Sequence, residues 1–148
     1  MRIAIGSDHA GFVLKEKVRV YLAGTDAEVM DLGTCSNDSV DYPDFAERVA
    51  VEVRDGKAER GILVCGTGIG VCISANKVHG IRAAQAWNAE VARLSRLHND
   101  ANVLCLSGRF TDPAVAVEMV QVWLTTPFEG GRHQRRLDKI YAIEAHGS

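Results

Sequence analysis

The stretch that decides the fold is GILVC at Gly61–Cys65, followed at once by GTGIG at Gly66–Gly70. Five consecutive residues without a polar side chain are typical of a strand buried on both faces, as central strands of parallel sheets are. The glycines at 66, 68 and 70 predict a tight strand-to-helix turn, with a helix running on to about Lys77. We therefore expect a central parallel strand here.

The same alternation of short apolar runs and amphipathic segments extends to both ends of the chain. Predicted strands are 2–6, 28–32, 61–65, 81–86 and 103–106. Predicted helices are 11–23, the segment between Pro43 and Gly56, the one ending near Lys77, 88–97, the one capped by Asp112 with Pro113 first, and 129–145. In the last helix we expect Leu137, Ile140 and Tyr141 to face the core.

Five strands alternating with helices predict an α/β fold in one domain over 1–148. We expect a three-layer αβα sandwich around a five-stranded parallel sheet, of the Rossmann or flavodoxin-like type. For five strands the expected order is 2-1-3-4-5. In that order the chain reverses direction between the first and third strands, and ligands bind at the carboxyl ends of strands at such a point.

Composition excludes several classes of protein. The chain has 148 residues, of which 47% are hydrophobic and 24% charged, as in globular domains. A net charge of −2 gives no global surface for nucleic acid or for a membrane. Four cysteines without a CxxC pair fit neither a disulfide scaffold nor a zinc site. With no leader pattern and no apolar run of membrane-spanning length, we expect a cytoplasmic protein.

The loops after the first and third strands are the predicted site. The first carries Asp8 and His9, and the third carries Cys65 with the glycine turn. A thiol beside that turn can serve as a base or nucleophile, and backbone N–H groups of the turn can hold an anion. Each feature also has a structural reading, since Cys65 can be a buried small side chain and Asp8 a helix cap.

Two further groups carry the same ambiguity. His98 ends a predicted helix, where the helix dipole favours a cationic ring. Arg132 and Arg136 lie one helical turn apart, so that two guanidinium groups can hold a phosphate or can simply form a solvated helix face. The glycine turn alone matches neither a Walker A loop nor GxGxxG.

Together these motifs resemble the ribose-5-phosphate isomerase B family, which also includes the galactose-6-phosphate isomerase subunits. The matching motifs are GSDHAGF (6–12), DYPDFA (41–46), CGTGIG (65–70), SANK (74–77), GIRAA (80–84), LSRLHNDANVL (94–104) and EGGRHQRR (129–136). They span nearly the whole chain in the family's order. The resemblance implies an aldose–ketose isomerase of ribose 5-phosphate and ribulose 5-phosphate that uses no cofactor, metal or nucleotide.

Family roles carry over position by position. The resemblance makes Cys65 the base that moves a proton between C1 and C2, and Thr67 a hydroxyl that moves protons between sugar oxygens. It makes His98 the group that opens the sugar ring. The implied anion hole for the enediolate is the backbone of Gly66, Gly68, Ile69 and Gly70. The other implied substrate contacts are Asp8, His9, Asn99, Arg109, Arg132 and Arg136, the last two at the phosphate.

The resemblance also implies a homodimer whose sites combine residues of both subunits, with some members pairing into tetramers. We expect the helix at 129–145 to lie at that dimer interface. Some family members carry a glutamate base at the position of Val71, so this chain resembles the cysteine type. Two alternatives stay open: an isomerase of a six-carbon sugar 6-phosphate, with Trp87 affecting sugar preference, and a nonenzymatic sugar-phosphate-binding module.

Overall fold

A computed structural model describes residues 1–147. The strands are β1 (Arg2–Ser7), β2 (Glu28–Asp31), β3 (Arg60–Cys65), β4 (Ala83–Gln85) and β5 (Val103–Ser107). The helices are α1 (Phe12–Ala23), α2 (Tyr42–Arg54), α3 (Ile69–Ala75), α4 (Ala89–Asn99), α5 (Pro113–Thr125) and α6 (Arg132–His146). Every strand pairing is parallel, which confirms the predicted α/β sandwich with its five-stranded sheet. Within residues 1–147, none of the helices has the length and apolar character needed to cross a bilayer.

The strand order is β2-β1-β3-β5-β4, so the predicted order 2-1-3-4-5 is wrong at its last two positions. The strands themselves explain the difference. β5 reads VLCLS and all five of its residues are buried, whereas β4 has three residues, AAQ, which are only half-buried. The longer apolar strand takes the interior place beside β3, and the short strand takes the edge.

The sheet separates two cores. Along β3, Ile62 and Val64 pack on one face and Leu63 and Cys65 on the other, because side chains of a strand alternate between faces. The first core is completed by α1, α4 and α5, with Trp123 fully buried. The second is completed by α2 and α3. The carboxyl ends of the strands therefore meet at one edge between two helical layers.

The helix caps follow the sequence closely. Asn88 accepts a hydrogen bond from the backbone N–H of Val91 at 2.8 Å, and Asp112 accepts one from Ala114 at 2.8 Å. Both side chains satisfy N–H groups that a helix leaves unpaired at its start. Pro113 occupies the first position of α5, where the missing N–H costs nothing.

The last helix differs from its prediction. It begins at Arg132 rather than at residue 129, because a turn containing Gly131 precedes it. Leu137 is buried as expected, but Ile140 is 46% exposed and Tyr141 is 36% exposed, so their predicted inward orientation is wrong. The physical reason is that α6 packs chiefly against α4 rather than against the sheet, so Ile140 and Tyr141 stay partly uncovered.

Candidate active site

A cleft of about 400 Å³ lies at the carboxyl ends of β1, β3 and β5. The predicted site residues that line it are Asp8, His9, Cys65, Gly66, Thr67, Ile69, Gly70 and Arg109. A larger hollow of about 470 Å³ lies beside α2, but its lining in the described chain contains no thiol, imidazole or hydroxyl group. The reactive side chains therefore line the cleft and not the larger hollow, and the cleft lies at the carboxyl ends of strands, where a ligand is predicted.

Hydrogen bonds join the ends of β3 and β5 at the floor of the cleft. The backbone N–H of Gly108 donates to the carbonyl oxygen of Cys65 at 2.8 Å, and that of Arg109 donates to Gly66 at 3.0 Å. The hydroxyl of Ser107 also donates to the Gly66 carbonyl, at 2.8 Å. These bonds exist because β5 is the neighbour of β3. With β4 between them, as in the predicted order, Arg109 would begin one strand further from Cys65.

Cys65 is the last residue of β3 and is 4% exposed. Its neighbours in the cleft include a hydroxyl group and an arginine. The other thiols lie elsewhere: Cys35 is exposed in a loop, while Cys72 and Cys105 interact with each other. A hydrogen bond with Cys105 lowers the pKa of Cys72 to about 7, and burial raises the pKa of Cys105. Of the four thiols, only that of Cys65 lines the cleft.

The glycine turn depends on the absence of side chains. Gly68 has φ of +78°, in the left-handed region, and a Cβ there would lie 3.0 Å from the carbonyl of Leu106. A Cβ on Gly70 would lie 2.5 Å from the ring of Tyr42. The hydroxyl of Thr67 accepts a hydrogen bond from the N–H of Ile69 at 3.2 Å. The turn is thus held closely between β5 and α2.

His9 is oriented by the loop that precedes α2. The backbone N–H of Val40 donates to His9 Nδ1 at 3.2 Å, so a neutral His9 carries its proton on Nε2. Beside it, Asp8 Oδ1 accepts the N–H of Gly11 at 2.9 Å. Asp8 therefore stabilises the turn before α1 as well as lining the cleft, but the N-cap residue of α1 is Gly11, so the interpretation of Asp8 as a helix N-cap is wrong.

Five predicted site residues do not line this cleft: Gly68, which lies within the glycine turn beside it, and His98, Asn99, Arg132 and Arg136, which lie elsewhere. His98 lies in the last turn of α4 and stacks on His133 of α6, with ring centroids 4.3 Å apart and planes inclined by 14°. Asn99 instead lines a hollow of about 300 Å³ that also includes Ile140. The sugar-ring and phosphate candidates thus form a second group, apart from the cleft of the same chain.

The carboxylate of Glu129 lies beside the stacked imidazoles of His98 and His133. Its Oε2 is 3.6 Å from His133 Nε2 and 4.0 Å from His98 Nε2. The pKa of His133 is lowered, first by burial of the ring and next by the neighbouring His98. A depressed pKa keeps the ring of His133 neutral to lower pH than that of a solvated histidine.

Sequence reasoning missed two residues of these sites. Tyr42 lines the cleft because α2 begins over the glycine turn. It lies inside the DYPDFA motif, but nothing in its spacing indicates a site. His133 lies between the two arginines singled out on α6, and the EGGRHQRR motif contains it. The nearby imidazole was a usable signal, since histidine side chains commonly serve in binding and catalysis.

Comparisons with known proteins agree with one another. A family model described as Ribose/Galactose Isomerase matches residues 3–140. Ribose-5-phosphate isomerase B of Escherichia coli (strain K12) is 46% identical over 143 residues, which cover 97% of this chain and 96% of that protein. Both the family model and this relative span almost the whole chain.

Solved structures give the same result. The ribose-5-phosphate isomerase B of Clostridium thermocellum is 50% identical with a TM-score of 0.99, and the match covers 100% of both chains. The Mycoplasma genitalium enzyme, solved with bound ribulose-5-phosphate, is 46% identical with a TM-score of 0.93 over 97% of this chain and 96% of that one. On the matched sequence and the shared fold, this chain belongs to the ribose/galactose isomerase family and is an isomerase.

Proposed function

We propose that this protein interconverts D-ribose 5-phosphate and D-ribulose 5-phosphate through a cis-enediolate. The observation that carries the proposal is the cleft in which a buried thiol, a hydroxyl group and a glycine turn meet at the joined ends of β3 and β5. Relatives named ribose-5-phosphate isomerase B, one of them solved with ribulose-5-phosphate, support the five-carbon substrate.

In the proposed reaction Cys65 acts as the base. As a thiolate it removes the proton from C2 of the open-chain aldose, and the electron pair of that C–H bond forms the enediolate. The same thiol then returns the proton to C1, because both carbons of a cis-enediolate present one face to it. Thr67 moves the remaining proton from O2 to O1, which completes the ketose without loss or gain of atoms.

The glycine turn is proposed to stabilise the charge that develops on oxygen. Preorganised N–H donors act where negative charge builds in the transition state, and loss of one donor typically costs ~100–1,000-fold in rate. Gly66 and Gly68 have no side chain that could cover their amides, and the close contacts at Gly68 fix the turn. Asp8, His9 and Arg109 line the same cleft and are proposed to contact the sugar phosphate.

We propose that a second copy of the chain completes the site. Ring opening is assigned to His98, a sugar contact to Asn99, and phosphate binding to Arg132 and Arg136. None of these lines the cleft that holds Cys65 in the same chain. A homodimer in which α6 lies at the interface would bring them to the partner's cleft, and Ile140 and Ile143, which are 46% and 72% exposed, suit such an interface.

The experiment that tests this function compares isomerisation of ribose 5-phosphate by the wild type and by Cys65→Ala. We expect the variant to lose ~100–10,000-fold in kcat, as for removal of a catalytic base, while still binding the sugar phosphate. Cys35→Ala, at the exposed thiol, is the matched control and should keep full activity. A Cys65→Ala enzyme with wild-type kcat would contradict the assignment of the base.

The choice of sugar is tested separately. Ribose 5-phosphate and the 6-phosphates of allose and galactose are compared as substrates of the wild type at equal concentrations. We expect the highest kcat/KM with ribose 5-phosphate. A higher value with a six-carbon substrate would move the function to that sugar. Absence of hydrogen exchange from C2 in deuterated water with all three sugars would instead indicate a binding protein without isomerase activity.

A further inference from the structure

Two imidazoles and a carboxylate form a compact group where α4 ends and α6 begins. The group comprises His98, Glu129 and His133. One ligand atom of each, a ring nitrogen or a carboxylate oxygen, lies within 4.8 Å of the other two. We call this group the His–Glu–His cluster. Nothing in the proposed isomerisation requires the carboxylate of Glu129, so the cluster contains a group that the reaction leaves unexplained.

The backbone holds the cluster together. The N–H of Glu129 donates to the carbonyl oxygen of Leu97 at 3.0 Å, which fixes this segment beside the last turn of α4. The chain then turns through Gly130 and Gly131, whose φ angles are +72° and +58°, and the N–H of His133 donates to Gly130 at 3.1 Å. The three side chains therefore come together through main-chain bonds, even though two of them lie at the surface.

His133 gives the cluster a buried ring nitrogen that has no hydrogen-bond partner among the described residues. The residue is 5% exposed, and this nitrogen is Nε2. The nearest opposite charge is Glu129 Oε2 at 3.6 Å, which is too long for a hydrogen bond. A buried polar atom without a partner is costly, and a ligand that it can bind would remove the cost.

We propose that the His–Glu–His cluster is a binding site for a divalent transition-metal ion of the zinc class. Two imidazole nitrogens and one carboxylate oxygen are a common ligand set for zinc, with water in the fourth position. Imidazole is uncharged near neutral pH and can ligate directly. The site is distinct from the cleft that contains Cys65 in the same chain.

Binding requires two of the ligands to move, and their exposure allows it. In tetrahedral zinc sites each ligand atom lies about 2.0–2.2 Å from the metal, so the cluster must contract. The stacked rings must also tilt, because a metal ion lies in the plane of each imidazole that binds it. The side chains of His98 and Glu129 are 40% and 57% exposed, which leaves space for them to move, while the buried His133 provides the anchor.

Nearby positive charge limits the affinity of the His–Glu–His cluster for a metal ion. Arg132 and Arg136 lie close enough to His133 to lower its pKa, so they also repel a divalent cation. The carboxylate of Glu129 offsets part of this repulsion. We therefore expect reversible binding, which depends strongly on Glu129 and occupies His98. If the proposed function of His98 holds, an ion in this cluster inhibits isomerisation, and this consequence alone rests on the proposed function.

The test uses tag-free full-length protein and Co²⁺, whose visible absorption reports its ligands. Co²⁺ is titrated into the wild type, Glu129→Gln and His98→Asn, with Glu118→Gln as the matched control for loss of an exposed carboxylate. We expect visible bands with the wild type and the control, and an apparent Kd raised about tenfold or more in the other two variants. Equal affinity in all four proteins would overturn the proposal, as would an intense thiolate-to-cobalt charge-transfer band, which would place the ion on a cysteine.

Inhibition by Zn²⁺ gives a second readout. Inhibition is measured for each enzyme relative to its own rate without Zn²⁺, and Glu129→Gln should require a Zn²⁺ concentration higher by about tenfold or more for half inhibition. Equal sensitivity of the two enzymes would contradict the proposed inhibition at this site. If the protein lacks isomerase activity altogether, the proposed function fails while the cobalt titration still decides whether the metal site exists.

Discussion

The backbone N–H of Gly108 donates a hydrogen bond to the carbonyl oxygen of Cys65 at 2.8 Å. This bond joins the carboxyl ends of β3 and β5, and the next residue, Arg109, lines the cleft as a consequence. The guanidinium of Arg109 lies 3.2 Å from the point that a Cβ on Gly66 would occupy. The thiol proposed as the base and a cation suited to an anionic substrate are therefore held by one pair of strand ends.

Replacement of Arg109 tests that arrangement. We expect Arg109→Gln to raise KM for ribose 5-phosphate by ~10–100-fold, the usual effect of losing a hydrogen bond to a charged group. Arg93→Gln is the control, because Arg93 lies on the exposed side of α4 in an ion pair with Glu90. KM is measured by initial-rate kinetics. An unchanged KM in the Arg109 variant would contradict the proposed contact between this residue and the substrate.

The glycine turn can be tested against a second glycine of the same conformation. Gly68 and Gly56 have φ angles of +78° and +74°, but a Cβ meets the Leu106 carbonyl only at Gly68, and nothing within 4 Å at Gly56. Gly56→Ala should cost ~1–2 kcal/mol for the left-handed conformation alone. Gly68→Ala should lower the free energy of unfolding, measured in urea, by more than Gly56→Ala does. It should also lower kcat, because the turn must shift to make room for the Cβ. Equal effects in both variants would contradict the tight packing of the turn.

The ion pair between Lys15 of α1 and Asp31 of β2 should be important for the stability of the fold. Lys15 is fully buried, and its Nζ lies 2.8 Å and 2.9 Å from the two carboxylate oxygens of Asp31 and 3.3 Å from Glu16. Asp31→Asn leaves this buried cation without its main counter-charge and should cost on the order of 3 kcal/mol. Glu16→Gln should cost less than about 1 kcal/mol, since Glu16 makes one longer contact with Lys15, at 3.3 Å, whereas Asp31 accepts two hydrogen bonds. Urea unfolding that ranks the two variants in the reverse order would show that Asp31 is not the principal partner.

His133 should make stability depend on pH. Its pKa is lowered in the folded protein, so near and below pH 6.5 the unfolded chain binds a proton that the folded chain does not. Stability is then fully present above that pH and falls as pH decreases. The groups that set this pKa, besides burial, are His98, Glu129, Arg132 and Arg136.

The measurement is urea unfolding between about pH 7.5 and about pH 5.5 for the wild type and His133→Asn. The wild type should lose more of its free energy of unfolding over this range than the variant does. His146→Asn, which alters an exposed histidine near the end of α6, should behave like the wild type. If the free energy of unfolding varies with pH identically in the wild type and in His133→Asn, this histidine does not cause the pH dependence.

Much of the fold follows from local patterns in the sequence. The buried run at 61–65 and the caps at Asn88 and Asp112 predict elements that the structure contains. The order of the last two strands did not follow, because a connection from β4 to β5 can place either strand at the edge. The composition of the two strands does indicate the order. AAQ in β4 has less apolar area to bury than VLCLS in β5, and an edge strand is buried less than an interior one, so β4 is the better candidate for the edge.

The site was predictable where it depends on strand ends and unpredictable where it depends on packing between helices. Asp8 follows β1 and Cys65 ends the neighbouring β3, so their meeting follows from topology. The ring of Tyr42 reaches the cleft only through the way α2 packs over Gly70, and no spacing in the sequence records that. Ile140 shows the converse error, since helical periodicity identifies an apolar side chain but not what covers it.

In the proposed enzyme, one catalytic site combines Cys65 of one chain with His98 of a second. Inactive Cys65→Ala and His98→Asn proteins are mixed, dissociated and reassembled, and isomerisation of ribose 5-phosphate is measured. In a mixed dimer one site carries both substitutions and the other carries none. Random reassembly should therefore restore about one quarter of the wild-type activity per chain. If mixed dimers form, as verified by native mass spectrometry, and activity stays at the level of the separate variants, the shared site is contradicted.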